Sequence, residues 1–182
     1  SKFIPVSKET LIDCHYKGGK DLLAIYHHNH PKSKLILGKT LVVGGSSQIN
    51  KLENGSYTGD LSAIIMKNFP LWVEQRRVPK LSEALMDNWE EKIAKMVKST
   101  VYEDVSNISG VPSWTLVLLK KMLATYKKEN ILEIWPNLEL YMHGGVNFEP
   151  YKKQFEALIP TKSFNYYQNY NASEGFFGIQ NM

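Results

Sequence analysis

The sequence has few of the features that mark a secreted or membrane protein. Of its 182 residues only Cys14 is a cysteine, so no disulfide can form within the chain, which suits a reducing cytoplasm. No apolar run approaches the roughly 20 residues that a membrane-spanning helix needs. The N-terminal residues also lack the apolar middle of a signal peptide. We therefore expect a cytoplasmic protein without a membrane partner.

A strong charge imbalance is also missing. The formal net charge is only +4, and Lys92, Lys95 and Lys98 are interspersed with Glu90 and Glu91. This pattern predicts a solvated helix face rather than a nucleic-acid footprint. Hydrophobic residues make up 43% of the chain and charged residues 22%, which is typical of a globular domain and excludes a disordered chain.

Motifs for a phosphate loop and for a zinc site are both incomplete. Gly44 and Gly45 follow residues 39–43 (KTLVV), which predict a buried strand, but no lysine and no helix start come after them. We interpret them as a strand exit, with a place in the lining of a pocket as a second possibility. His27, His28 and His30 have no nearby cysteine or carboxylate to complete a zinc set, so they indicate a solvated helix end.

The hydrophobic periodicity alternates between helix and strand. It predicts helices over 7–30, 60–67, 82–100, 113–126 and 149–158, and strands over 39–43, 107–110, 138–142 and 164–168. The first helix is expected to bury a face with these members: Ile12, Tyr16, Gly19, Leu23 and Tyr26. The helix over 113–126 is apolar nearly all round and should be buried, and Pro112 before it is suited to the first helical position. The order of elements predicts a single α/β domain over 1–182, with a mainly parallel sheet flanked by helices.

The rest of the chain is organised around residues 136–175. Two polar or glycine-rich segments there each follow a predicted strand, namely residues 141–146 (YMHGGV) and 170–175 (YNASEG). Ligands of open α/β sheets bind at the carboxyl ends of the strands, so one ligand can touch both segments. Paired glycines admit a flat ring or a phosphate, and a carboxylate suits Mg²⁺ that is shared with substrate phosphates. The alternative is a pair of ordinary turns at strand ends, because short glycine motifs often occur without a function.

Longer motifs resemble one family. Residues 133–138 (EIWPNL), 143–151 (HGGVNFEPY), 170–178 (YNASEGFFG), 109–114 (SGVPSW) and 2–5 (KFIP) resemble the Gretchen Hagen auxin-responsive family, with a closer likeness to its bacterial branch. Characterised members of that family are acyl-acid–amido synthetases of the adenylate-forming superfamily. The resemblance implies ATP and Mg²⁺ as cofactors, and a small carboxylic acid and an amine or amino acid as substrates. It extends over essentially the whole chain.

The resemblance also implies roles for individual residues. Those expected to lie along the adenine are Gly144, Gly145, Val146, Tyr170, Asn171 and Ala172. Ser173 is expected to touch the phosphate and Glu174 to hold Mg²⁺, which makes these two the catalytic candidates. The acid pocket is expected to be bordered by Val111, Trp114 and Thr115, although core packing is an alternative for this helix. His143 is a weaker candidate near the base, with a structural role as its alternative.

Two alternatives to the ligase remain open at this point. A noncatalytic nucleotide- or acid-binding module would keep these turns without turnover. A nucleic-acid-binding protein is less well supported, since the aromatic residues of 164–170 alternate as in a strand. The resembled family has a phosphate loop before KFIP and a C-terminal lid, so we expect the chain to be an internal fragment that is inactive alone.

Overall fold

The computed structural model describes residues 3–44 and 49–180. The strands in these ranges are β1 (Lys39–Val43), β2 (Ile49–Lys51), β3 (Tyr57–Gly59), β4 (Arg77–Val78), β5 (Val105–Gly110), β6 (Leu140–His143), β7 (Asn165–Ala172) and β8 (Gly175–Ile179). One six-stranded sheet has the order β4-β1-β5-β6-β7-β8, and β2 and β3 form a separate hairpin. Neighbours from β4 to β7 pair in parallel, and β8 pairs antiparallel with β7. The predicted α/β fold with a mainly parallel sheet is confirmed.

Helices pack on both faces of this sheet. They are α1 (Lys8–Thr10), α2 (Lys17–Asn29), α3 (Leu61–Lys67), α4 (Leu71–Glu74), α5 (Leu81–Ala84), α6 (Trp89–Thr100), α7 (Pro112–Tyr126) and α8 (Glu149–Leu158), with short 3₁₀ turns at Leu35–Leu37 and Ile131–Glu133. Adjacent β6 residues point to opposite faces: Leu140 joins a core cluster with α2, whereas Tyr141 joins the larger cluster with α6, α7 and α8. Within the described ranges, no helix has the length and apolarity required to cross a membrane.

The first helix is continuous, but its buried face is not the predicted one. A π-helical segment, Leu11–Tyr16, joins α1 to α2. The residues that it and α2 bury are Leu11, His15, Gly18, Leu22 and Tyr26, one position before most of the predicted set. Ile12 is 60% exposed, and a Cβ added to Gly19 would meet no atom within 4 Å. Close packing therefore occurs at Gly18 and not at Gly19.

The helix end that carries the histidines is only partly solvated. His27 and His28 are exposed. Asn29 donates to the Tyr167 hydroxyl at 3.2 Å, and the His30 ring lies 4.6 Å from the ring of Tyr26. No group of three or more potential metal ligands occurs in the part of the chain that the structure describes. The end of α2 is docked on β7, so the prediction of a solvated end is wrong for Asn29 and His30.

The predicted helix over 82–100 is two helices, because Asn88 accepts from the Glu91 N–H and starts α6 anew. Lys95 and Glu91 form the expected exposed ion pair at 3.4 Å. Lys92, however, is 1% exposed, so the predicted solvated face does not include it. Its Nζ donates to the Gly44 carbonyl at 3.1 Å, at the carboxyl end of β1, and burial lowers the pKa of this lysine. The remainder of the strand exit after Gly44, residues 45–48, lies outside the described residues.

Candidate functional site at the carboxyl edge of the sheet

The glycine pair after β6 lies at the carboxyl edge of the sheet, between the ends of β5 and β7. A Cβ on Gly144 would stand 2.5 Å from the Asn169 carbonyl oxygen, so only glycine allows β6 to leave the sheet against β7. Gly145 has φ of +82°, which favours glycine, and a Cβ there would be 3.5 Å from the Val111 side chain. The turn therefore brings Gly144 and Gly145 beside Val111 and Asn169. Close packing explains why residue 144 is glycine, and the positive φ explains why residue 145 is. The contact of these glycines with adenine stays a prediction.

The second predicted segment is mostly strand. The sequence predicts a polar turn over 170–175, but β7 continues to Ala172 and pairs with β8, with a register shift between Tyr170 and Asn171. The turn is confined to Ser173 and Glu174. Antiparallel pairing with β8 supplies hydrogen bonds that carry β7 beyond the end of the parallel sheet. We call this element, residues 165–179, the β7–β8 hairpin.

The candidate residues on the β7–β8 hairpin differ in how far they are exposed to solvent. Tyr170 is 62% exposed and its ring lies 5.3 Å from that of Phe177, so an aromatic surface is available to a flat ligand. Ala172 and Ser173 are half-buried, and Glu174 is exposed at the tip of the turn. Val146, at 41% exposed, stands in the neighbouring glycine turn. The arrangement offers an aromatic ring, a hydroxyl and a carboxylate in succession along one strand end.

Asn171 is held by His15, a residue that belongs to no motif in the sequence. Its Oδ1 lies 2.8 Å from Nδ1 of His15, which is 4% exposed. The preceding residue, Cys14, accepts a hydrogen bond at 3.1 Å from the N–H of Phe176, the register partner of Asn171. No pattern in the sequence signals these pairs, because 156 residues separate His15 from Asn171.

The acid-pocket candidates lie in the first turn of α7, which begins at Pro112 as predicted. Thr115 is fully buried, and its hydroxyl donates to the Val111 carbonyl at 3.0 Å, so it faces the protein interior. Trp114 is 38% exposed and its ring lies 4.3 Å from that of Trp89. The helix is thus less buried than predicted, and Val111 and Trp114 are the members of this set that a ligand can reach without a rearrangement.

His143, the last residue of β6, is embedded in an aromatic cluster. It is 3% exposed, and its ring stacks on Phe148 at 4.1 Å. Its Nδ1 is buried without a hydrogen-bond partner among the residues that the structure describes. Burial lowers the pKa of this histidine from 6.5 to about 4, so the ring is neutral at pH 7. These contacts favour the structural alternative for His143.

The donor set fits a magnesium ion that arrives with a phosphate ligand. Glu174 offers one exposed carboxylate, and the described residues provide no cluster of three potential ligands that would cage a metal on its own. Mg²⁺ is typically bound through one or two carboxylates together with substrate phosphates and water. The residues present are therefore compatible with Mg²⁺ shared between Glu174 and a nucleotide.

Comparisons with known proteins agree with the architecture. The family model described as the GH3 family N-terminal domain matches residues 1–164. A solved structure named GH3.15 acyl acid amido synthetase superposes with a TM-score of 0.73 and 13% sequence identity over 98% of this chain. At this identity the match shows a shared fold. The chain spans only 40% of that protein's length. The comparison with curated proteins gave no match.

Proposed function

The chain belongs to the GH3 family, and on this premise we propose that it forms the nucleotide side of an ATP-dependent acyl-acid–amido synthetase. The observation that carries the proposal is the meeting of three strand ends at one edge of the sheet. Val111 after β5 approaches the Gly145 turn after β6, and Gly144 packs against Asn169 of the β7–β8 hairpin. Open α/β sheets bind their ligands at this edge.

In this proposal the adenine lies between the glycine turn and the hairpin. Gly144, Gly145 and Val146 border one side of the ring, and Tyr170 offers its exposed aromatic face from the other. Asn171 and Ala172 extend the hairpin side of this cleft. The Ser173 hydroxyl donates to a phosphate oxygen, and the Glu174 carboxylate binds the Mg²⁺ that accompanies the nucleotide. That ion would neutralise negative charge on the phosphate oxygens.

The acid is proposed to enter from the side of α7, where Val111 and Trp114 form an apolar border. Thr115 supports this border from inside, because its hydroxyl fixes the Val111 carbonyl. A fully buried side chain has no surface for a substrate, so we assign Thr115 a supporting role. The identity of the acid depends on the shape of this border.

The proposed reaction has two halves. First, a carboxylate oxygen of the acid attacks the α-phosphorus of ATP, the bond to the bridging oxygen breaks, and pyrophosphate leaves. An amine then attacks the acyl carbon, loses a proton, and displaces AMP to give an amide. Most of the catalysis required of the protein is alignment of the carboxylate with the phosphate and stabilisation of charge on the phosphate oxygens. The turn with Ser173 and Glu174 supplies these functions in our proposal.

The test is pyrophosphate release by the full-length protein with ATP and Mg²⁺ across a panel of carboxylic acids, followed by a panel of amines. We expect release that depends on a particular acid, and AMP and an amide once the amine is supplied. ATP binding without acid-dependent release across the panel would favour the noncatalytic binding module instead. Absence of ATP binding would contradict both the ligase and a nucleotide-binding module, and would leave an acid-binding module as the alternative.

A further inference from the structure

One turn of the first helix holds both strands of the β7–β8 hairpin just below the Ser173–Glu174 turn. Asn171 on β7 and Phe176 on β8 are register partners. Consecutive residues of the π-helical segment contact them: His15 Nδ1 lies 2.8 Å from Asn171 Oδ1, and Cys14 Sγ accepts from the Phe176 N–H at 3.1 Å. The base of the turn is therefore fixed on both sides from a single helix.

A glycine lets the first helix pack closely against the β7–β8 hairpin. Gly18 lies one turn after Cys14, and a Cβ at this position would stand 2.4 Å from Cγ of Phe176. The register shift between Tyr170 and Asn171 occurs at the strand position that His15 contacts. π-Helical turns are uncommon and are frequently found at functional sites. Here the π-helical segment presents Cys14 and His15 to the hairpin together.

The chemistry of the His15 contact determines what Asn171 can offer a ligand. Because the amide oxygen of Asn171 is an acceptor, Nδ1 of His15 must carry the proton that joins them. One lone pair of the oxygen is thereby used, and the amide NH₂ carries the hydrogen-bond donors that can face a ligand acceptor. His15 Nε2 is buried with no partner within the described residues, which is a cost that a purely packing residue would not impose.

We propose that His15 is a positioning residue for the nucleotide turn: by binding Asn171 it fixes the base of the hairpin and directs the Asn171 NH₂ toward an acceptor such as an adenine ring nitrogen. This inference rests on the proposed function, since the ligand is the ATP of that proposal. His15 acts through Asn171, so its removal should weaken nucleotide binding more than it affects the acid.

Three variants of the full-length protein test the proposal. His15→Leu removes the donor and keeps the bulk. His15→Asn places an amide N–H at the same number of bonds from the backbone as Nδ1, so it should restore the contact. His28→Leu, at an exposed position on the same helix, controls for the loss of a histidine. Thermal melts establish that each variant is folded.

Two measurements are compared, namely hydrogen exchange in peptides covering 169–177 and the KM values for ATP and for the acid. In His15→Leu we expect exchange of the hairpin and the KM for ATP to rise about 3- to 10-fold, the usual range for one lost hydrogen bond. Exchange of β5 and the KM for the acid should stay unchanged. His15→Asn should behave like the wild type, as should His28→Leu.

The outcomes separate this inference from the proposed function. Unchanged hairpin exchange in His15→Leu would refute the positioning role whether or not the protein is a ligase. Faster exchange with an unchanged KM for ATP would reduce His15 to a structural tether, and the ligase proposal would stand. If the wild type itself neither binds ATP nor releases pyrophosphate, the proposed function fails and this inference fails with it.

Discussion

Adjacent glycines in the first helix should respond in opposite directions to the same substitution. Gly18 is buried, and a Cβ added there would lie within 2.4 to 2.7 Å of three ring atoms of Phe176. Gly19 is the next residue, and a Cβ added there would meet nothing within 4 Å. We predict that Gly19→Ala stabilises the protein and that Gly18→Ala destabilises it.

The magnitudes follow from two effects. Replacing glycine by alanine within a helix gains about 0.4 to 1 kcal/mol, mainly because the unfolded chain has less freedom to lose. Overpacking a closely packed site costs about 1 to 3 kcal/mol. The ring of Phe176 cannot easily retreat, because Cys14 holds its backbone N–H and the clash involves ring atoms next to its own backbone. Since the gain is common to both variants, the difference between them should be the overpacking cost alone.

The assay is urea unfolding monitored by circular dichroism, with thermal melts in which about 1 kcal/mol corresponds to 2–4 °C for a protein of this size. Gly18→Ala should regain stability in a Phe176→Ala background, where the ring is gone and only the helix gain remains. Equal stabilisation by both glycine substitutions would refute the packing argument. So would a Gly18→Ala effect that is the same with and without Phe176.

Three further predictions concern the site. Glu174→Gln in the full-length protein should abolish Mg²⁺-dependent pyrophosphate release while the melting temperature is kept, and near-normal release would contradict the metal role. Gly145 has a φ of +82°, so valine there should be strained and should also block adenine, whereas the control Gly145→Asn tolerates this backbone. Loss of ATP affinity in Gly145→Val but not in Gly145→Asn would support the contact with adenine. Unchanged ATP affinity in a folded Gly145→Val would contradict it. Burial lowers the pKa of His143 from 6.5 to about 4 in the folded protein, so as the pH falls the unfolded state takes up this proton before the folded state does. The free energy of unfolding should therefore decrease between pH 6.5 and pH 4, by at most about 3 kcal/mol. Urea unfolding of wild type and His143→Leu across this range checks it, and a wild-type profile no steeper than that of the variant would refute it.

Much of the architecture could be predicted because it depends on local patterns. Hydrophobic segments that end before a glycine predicted β1 and β6, and Pro112 predicted the start of α7. The extent of β7 could not be predicted, since Asn171 and Ala172 remain extended only because β8 pairs with them. Residues that look like a turn in sequence were therefore strand.

Side-chain placement was harder to predict than element order. Two registers of the first helix, one through Ile12 and one through Leu11, both offer apolar residues and both end on Tyr26. The structure has the register through Leu11, in which Gly18 packs on Phe176 and His15 contacts Asn171, and both contacts lie beyond any local pattern. Lys92 was assigned to solvent because lysine usually is, yet its stem lies in the core and its Nζ finds a backbone carbonyl.

The grip of the first helix on the hairpin has a consequence for how the protein folds. The two hydrogen bonds that fix the hairpin base span 156 and 162 residues of sequence. Because loop-closure entropy must be overcome before contacts of such separation contribute, we expect these two to form late. During synthesis the Cys14–His15 turn leaves the ribosome long before residues 171 and 176 exist. We therefore expect the Ser173–Glu174 turn to reach its final position only after the first helix and both hairpin strands are present.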